Sequence, residues 1–588
     1  MKLEKITQNY IFPILLLLFA LLHINKGVDL TDSGFSLAGY VFFRHADAAF
    51  ALNTYLSNVI GFCLTLLPFG QYMLAMNVYS GLLVFATALI AYRFFITKMP
   101  AWVAFVSLAA AIGLAWCPSV ILYNYLSYFF FLLAAILIFR ALVGFHPACL
   151  VIAGALLGLN VFVRNPNILQ AGLIVCVWYY AWLRKKSKQQ VIKETLLCLA
   201  GYVAALLIMT GVMMISHGTQ APLNMLRGLV GIADSNAAYG VVGMLGAIGA
   251  AYLTSAKWLF YMALCILPGI PFLMINLSGL FRNKIAEESI TILKKVAYSL
   301  AIALLFYGFF RLGMYNFKFF QKDAALQWAT VFILISLINM VYMLCTKTVD
   351  VHWKLIAALG IAIILITPLG SNNNVWPVIN NLFFIAPITV WRAYWLARYG
   401  RRLAGSTETP LPLFPLKAMQ LGIVCMFIIM SLGVGSFYVF RDGEDGKARQ
   451  TPVSGNDILR GMRTNAENAA ALSEITAFLA ASPQYEGHEL ILYGNIPGLS
   501  YYLDRPSAIS ASWPDLDSYG SARFEEELAA LSAQIEVKGH PAPLLILNTT
   551  IPDRPSVQAK LVLLEVFMEG LDYAVVFSNQ AFVVYAIN

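Results

Sequence analysis

The chain of 588 residues is 60% hydrophobic and only 12% charged, about half the charge of an ordinary soluble domain, roughly 25%. That excludes a soluble enzyme, a disordered protein and a disulfide scaffold; repeated apolar stretches of about 18 to 25 residues mark an α-helical polytopic membrane protein instead. The net charge of +9 hides a split, because residues 1–440 hold 29 Lys and Arg against 11 Asp and Glu, whereas residues 441–588 hold 10 against 19.

The short basic start, Lys2 and Lys5, precedes an apolar run from Tyr10 to Ile24. No small-residue cleavage site follows it, so it reads as an uncleaved signal anchor. Further apolar segments centre near Phe85, Ser107, Leu133, Gly154, Cys176, Ala205, Ile266, Leu304, Ile335, Ala362, Ala386 and Phe427, which makes about 13 spans. With the N-terminus in the cytoplasm, the basic clusters at Arg184–Lys188, Arg282–Lys295 and Arg398–Lys417 all fall on the cytoplasmic side, as the positive-inside rule requires. The odd span count then places the acidic C-terminal segment outside. A bacterial inner membrane is the expected location. The basic excess anchors loops, and nucleic acid is not an expected partner. The eight cysteines lie in or beside apolar segments without a CxxC, so they read as small buried hydrophobes.

Three regions follow from this patterning: a transmembrane region over 1–440, a linker and helix over 441–482, and a small α/β domain over 483–588. The linker is rich in Gly, Asp and Arg, and a helix is expected over Ile458–Ala481. Strands are expected near Glu489–Tyr493 and Leu544–Asn548, helices near Phe524–Ile535 and Val557–Met568, and a closing hairpin around Ser578–Gln580.

Carboxylates are scarce in the first 440 residues, and none lies in the middle of a span. A coupled carrier normally keeps an ionisable group at the midplane. The densest outside constellation is Val28-Asp-Leu-Thr-Asp-Ser-Gly-Phe, followed by Arg44, His45 and Asp47. A carboxylate here can take a proton from an acceptor hydroxyl or hold a divalent cation near a phosphate; equally, Asp32 can simply cap the following helix. A second outside segment, Pro222-Leu-Asn-Met-Leu-Arg-Gly-Leu-Val-Gly-Ile-Ala-Asp, has helical periodicity with Arg227 and Asp234 on its polar stripe.

The first span followed by an outside loop with Asp-x-Gly-Phe resembles the GT-C superfamily of membrane glycosyltransferases, in particular protein O-mannosyltransferases and lipid A aminoarabinose transferases. The overall layout of basic N-terminus, long first outside loop, about 13 spans and an outside C-terminal domain is similar as well. The resemblance implies transfer of a sugar from a polyprenyl-phosphate donor to a glycan, lipid or protein acceptor on the outer face. By position it makes Asp32 the loop carboxylate that activates the acceptor. Family members commonly carry an acidic pair there, whereas Ser33 follows Asp32 here. A second acidic or metal-holding role is therefore open among Asp29, Asp47 and Asp234, with a divalent cation as the conceivable cofactor.

The donor phosphate needs cations to stabilise it as a leaving group. The outside candidates are Arg164, Arg227, Arg44, Arg311, Lys318 and Lys322. Arg164 stands out in Phe-Val-Arg-Asn-Pro-Asn, where Asn165 and Asn167 flank Pro166, although an arginine snorkelling to headgroups accounts for it too. Asn372, Asn373 and Trp376 sit in another outside turn. Their amides suit sugar hydroxyls and the indole a sugar face; turn chemistry and an interfacial Trp explain them equally. His45 and His217 show no metal-ligand spacing. The rival readings are a carrier or flippase for lipid-linked saccharides, marked by internal repeats, and a non-catalytic envelope assembly protein.

Overall fold

A computed structural model describes residues 2–43, 52–115, 118–144, 146–227, 241–266, 287–318, 322–371, 373–403, 414–440, 451–538 and 541–587. Among these, six helices are long and apolar enough to cross a membrane: Leu3–Ala20, Met73–Phe95, Leu122–Gly144, Lys188–His217, Asp323–Cys345 and Gln420–Phe437. The chain is thus a multi-pass helical membrane protein with a small C-terminal sheet region.

Several expected spans take a different form. Those near Ser107, Gly154 and Ala362 are apolar helices of 14, 17 and 16 residues, Ala101–Leu114, Pro147–Val163 and Val351–Ile366. The segment around Cys176 begins as a 3₁₀ helix, Asn165–Ile174, and becomes α-helical only over Val175–Leu183. Pro166 next to two asparagines opens that stretch, and all three residues favour turns over a continuous helix. Near Ala386 a short helix, Trp376–Asn380, precedes the longer Ile385–Leu403.

Small residues let the helices approach. A Cβ on Gly154 would stand 1.8 Å from the Cys198 carbonyl oxygen, and one on Gly158 would stand 2.5 Å from that of Tyr202. The Gly154-x-x-x-Gly158 spacing therefore seats Pro147–Val163 directly against Lys188–His217, as small-residue faces do in membranes.

The C-terminal sheet has the order Leu490–Tyr493, Leu544–Asn548, Phe582–Ile587, Tyr573–Ser578. The first two strands are parallel and the remaining pairings antiparallel. Alternation sorts the strands' two faces. Ile491, Tyr493 and Leu545 pack under Phe524, Leu528, Leu564 and Phe567 of the helices Ser521–Lys538 and Pro555–Gly570. On the opposite face, Leu490, Leu492, Leu544 and Ile546 share a core with Leu472 and Ile475. Val28, Leu37, Tyr40, Met73 and Met76 from the N-terminal half belong to that same core. One apolar cluster thus joins the sheet to the loop and helix that follow the first span.

The helix expected from Ile458 starts later, at Ala466, and ends at Ala480. Arg463–Thr464 pairs instead with Thr451–Pro452. Asn465 ends the strand and caps the helix, its Oδ1 accepting the Asn468 N–H at 2.8 Å, a common asparagine role.

Candidate functional site

The Asp-containing loop folds around Asp29. Its Oδ1 accepts from the Thr31 N–H at 2.9 Å and the Thr31 hydroxyl at 2.5 Å. Its Oδ2 accepts from the Ser33 N–H and the Ser33 hydroxyl, both at 2.8 Å. Asp29 is buried, and these four donors occupy its carboxylate within one turn. It therefore performs the helix-capping task that sequence alone offered to Asp32. Asp32 is the first residue of the helix Asp32–Val41 and is half-buried.

The rest of the motif is spent on docking. Gly34 lies against Gly498, so closely that a Cβ on Gly34 would stand 2.2 Å from the Gly498 Cα. The Gly498 N–H donates to the Leu30 carbonyl at 2.8 Å, and the Tyr502 hydroxyl donates to the Asp29 carbonyl at 2.7 Å. Phe35 packs edge-on against Trp513, with ring centroids 5.6 Å apart. The Trp513 indole donates in turn to Asn495 Oδ1 at 3.2 Å, and the Asn495 N–H to Asp515 Oδ2 at 2.8 Å. Burial pushes the Asp515 carboxyl above the usual range, against the Asn495 hydrogen bond and the charge of Lys560. Lys560, buried itself, donates to the carbonyls of Pro514, Leu516 and Tyr519 and so fixes the loop that carries Trp513.

Between the Asp32–Val41 helix and the C-terminal domain lies a cleft of about 200 Å³. Phe35, Ser36 and Tyr40 line it from the helix, Asn53, Asn58 and Tyr123 from the membrane region, and Ser507, Ser510 and Ser512 from the C-terminal domain. Hydroxyls, amides and aromatic rings on facing walls are the groups that recognise a sugar or a hydroxylated acceptor. The serine wall is held from behind, because Glu527 accepts from the Ser510 N–H at 2.8 Å and from its hydroxyl at 2.5 Å, and Arg523 pairs with Glu527 at 2.9 Å. Burial raises the Glu527 carboxyl, but the hydrogen bonds from Ser510 and Arg523 outweigh it and leave a net lowering.

The Arg164 turn is tied to the same framework. Asn165 Nδ2 donates to Asn53 Oδ1 at 3.1 Å, and the Ser57 hydroxyl to the Val163 carbonyl at 3.0 Å. The helix Tyr55–Thr65, which carries Ser57, also presses Gly61 against the Tyr40 ring. One short helix therefore holds both the Asp32 helix and the Arg164 turn. Arg164 donates to the Gly370 carbonyl at 2.7 Å, joining two turns 206 residues apart in sequence. Trp376 begins the helix just beyond that turn, half-buried, and Asn373 is exposed.

Other sequence candidates lie elsewhere. Asn167 turns inward, buried, and donates to Ser127 Oγ at 2.6 Å and to Asn160. Arg227 is exposed in the helical stretch 221–227, Arg311 is exposed at the end of Glu287–Arg311, and Lys318 is exposed seven residues beyond. Arg44, His45, Asp47, Asp234 and Asn372 lie outside the described residues, as does the Lys322 side chain. His217 packs between Phe43 and Tyr55, at centroid distances of 5.5 and 5.4 Å. Among the described residues, no three His, Cys, Asp or Glu side chains gather as metal ligands. Sequence reasoning missed Asn53, Asn58, Tyr123 and the serines of Ser507–Ser512. Their only advance signal was the serine spacing in Ser-Ala-Ile-Ser-Ala-Ser, which becomes a wall only when it meets the Asp32–Val41 helix.

No protein-family model matches this chain, and no curated protein matches it in sequence. Among solved structures it is similar to the archaeal oligosaccharyltransferase AglB from Archaeoglobus fulgidus, in complex with an inhibitory peptide and a dolichol-phosphate. That likeness has 13% identity, 99% of this chain and 75% of that one covered, and a TM-score of 0.45. A complex of the Archaeoglobus fulgidus oligosaccharyltransferase with Zn and sulfate shows 12% identity, 98% and 73% coverage, and a TM-score of 0.46. ArnT from Cupriavidus metallidurans bound to undecaprenyl phosphate shows 12% identity, 98% and 97% coverage, and a TM-score of 0.39.

Proposed function

We propose that this protein is a glycosyltransferase that moves a sugar from a polyprenyl-phosphate donor to a hydroxyl-bearing acceptor on the outer face of a cytoplasmic membrane. The observation that carries this reading is the cleft of hydroxyls, amides and rings bounded by the Asp32–Val41 helix. That helix, capped by Asp29, gives Phe35, Ser36 and Tyr40 to one wall of a saccharide-sized space, and Asp32 stands at its start, one turn before Phe35 and Ser36.

In the proposed reaction Asp32 accepts the proton of the acceptor hydroxyl. The new bond forms between the acceptor oxygen and the sugar's anomeric carbon as the bond from that carbon to the phosphate oxygen breaks. The polyprenyl phosphate leaves with the electron pair. Arg164 has five N–H donors and gives one nitrogen to Gly370, so it retains others for the departing phosphate. Asn53 and Asn58 from below and Ser507, Ser510 and Ser512 from above orient sugar or acceptor hydroxyls.

The test is transfer by the purified protein from a short-chain polyprenyl-phosphate sugar, followed by mass spectrometry, with surface glycans compared in cells with and without the gene. Release or transfer of the sugar is expected. Movement of intact donor across the bilayer without cleavage would replace this reading with the carrier. Reporter fusions after Lys188 and after Asn588 should report cytoplasmic and external positions respectively, and a cytoplasmic C-terminus would overturn the assignment of faces.

A further inference from the structure

A second concave surface lies at the turn between the helices Val175–Leu183 and Lys188–His217. It encloses about 800 Å³ and is lined by Trp178, Trp182, Lys185, Lys186, Lys188 and Ile192, among others. Its apolar wall is open, with Trp178 51%, Trp182 73% and Ile192 58% exposed. The Trp178 indole is fixed across the gap by donating to Thr195 Oγ1 at 3.0 Å, so the wall is built in advance. At one end stand the lysines. Lys186 is neutralised by Glu194 at 2.5 Å and is itself largely buried, which leaves Lys185 and Lys188 exposed.

Of the two exposed lysines, Lys188 sits where a cation is locally unfavourable. Lys185 occupies a left-handed backbone position, φ 51°, where glycine or asparagine is the easier choice. Lys188 is the first residue of a 30-residue helix, where its charge meets the positive end of the helix dipole. An anion shared by the two ammonium groups and the helix terminus relieves that repulsion. The charged end and the tryptophan wall form one groove, so a matching occupant has an anionic head and a hydrocarbon tail.

We infer that this groove is a binding site for an anionic phospholipid, its phosphate against Lys185 and Lys188 and an acyl chain along Trp178, Trp182 and Ile192. Basic pockets between membrane helices recognise such headgroups, and exposed tryptophans suit the boundary between headgroups and acyl chains. The site uses no residue of the cleft and is independent of the proposed transfer reaction.

Native mass spectrometry of the delipidated full chain tests the inference with phosphatidylcholine, phosphatidylglycerol and cardiolipin supplied in turn. Anionic lipid should be retained over phosphatidylcholine by about thirtyfold, the scale expected of two lysines near an anionic headgroup. The double variant K185Q/K188Q should lose that preference. The pair K347Q/K354Q, with the same charge removed at another turn, should keep it. Trp182→Ala should weaken retention while leaving the charge preference in place. Inorganic phosphate at millimolar concentration should not displace the lipid, since it cannot use the apolar wall. Equal retention of neutral and anionic lipid, an unchanged preference in K185Q/K188Q, or ready displacement by inorganic phosphate would each overturn the inference.

Discussion

Gly34 and Gly498, 464 positions apart, meet so closely that a Cβ on Gly34 would lie 2.2 Å from the Gly498 Cα. The contact places the Asp32–Val41 helix and the C-terminal domain in fixed register. The wall of the cleft made by Phe35, Ser36 and Tyr40 and its serine wall are consequently parts of one assembly.

Gly498→Ala should prise the two apart. The added methyl meets the Leu30 carbonyl oxygen at 2.9 Å and the Gly34 Cα at 3.1 Å, backbone atoms that cannot rotate away. Overpacking of this kind costs typically 1–3 kcal/mol. The expected result is faster proteolysis of the C-terminal domain in the intact protein and reduced sugar transfer. Wild-type protease resistance would show that the contact is slack.

Asp29 and Asp32 should separate stability from chemistry. Asp29→Ala removes the acceptor of four hydrogen bonds and should lower stability by roughly 1–2 kcal/mol or more, as lost caps and buried acceptors do. Asp32→Asn should keep the thermal midpoint and lower turnover by about 10²-fold or more, the usual reach of a general base. Donor affinity should change little, because the proposed partner of Asp32 is the acceptor. Normal turnover in Asp32→Asn would return the site's chemistry to another group.

Arg164→Gln should weaken donor binding by about tenfold or more, the scale of a charge-assisted hydrogen bond to phosphate. Titration of a short-chain polyprenyl-phosphate sugar into the detergent-solubilised variant measures it. Arg227→Gln is the comparison. An unchanged affinity in both would move the phosphate site, most directly toward Arg311 and Lys318.

The serine wall should loosen in acid. The Glu527 carboxyl is held below its ordinary 4.5 on balance, burial being outweighed by hydrogen bonds from Ser510 and Arg523. A lowered acid stabilises the folded form fully above the unfolded value and loses that contribution as pH falls through the folded one. Amide protection at Ser510 should therefore be full above about pH 4.5, that ordinary value, and fall progressively below it. Glu527→Gln should exchange fast at every pH, and a flat wild-type profile would show that Glu527 does not hold the wall.

The strands of the C-terminal sheet and its two covering helices were legible because alternation and turn residues are local signals. Ile458–Ala481 was misread as one helix because the Arg463–Thr464 strand owes its pairing to Thr451–Pro452 and to Lys26. Nothing within the segment announces that partner. The Asp-x-Gly-Phe loop stands out in the sequence, yet its division of labour is invisible there. Asp29 was one of several equivalent carboxylates until its four donors were seen in the same turn.

Sequence alone determined that the chain lives in a membrane, that its helices are many, and that a small α/β unit closes it. Each conclusion rests on hydrophobicity, period or charge summed over a short window. The cleft was decided by tertiary structure only, because its walls come from residues 35–42, residues 53–58, Tyr123 and residues 500–512. Their meeting depends on contacts such as Gly34 with Gly498 and Asn53 with Asn165. Close packing is a property of two surfaces at once, and no window along one chain segment contains both.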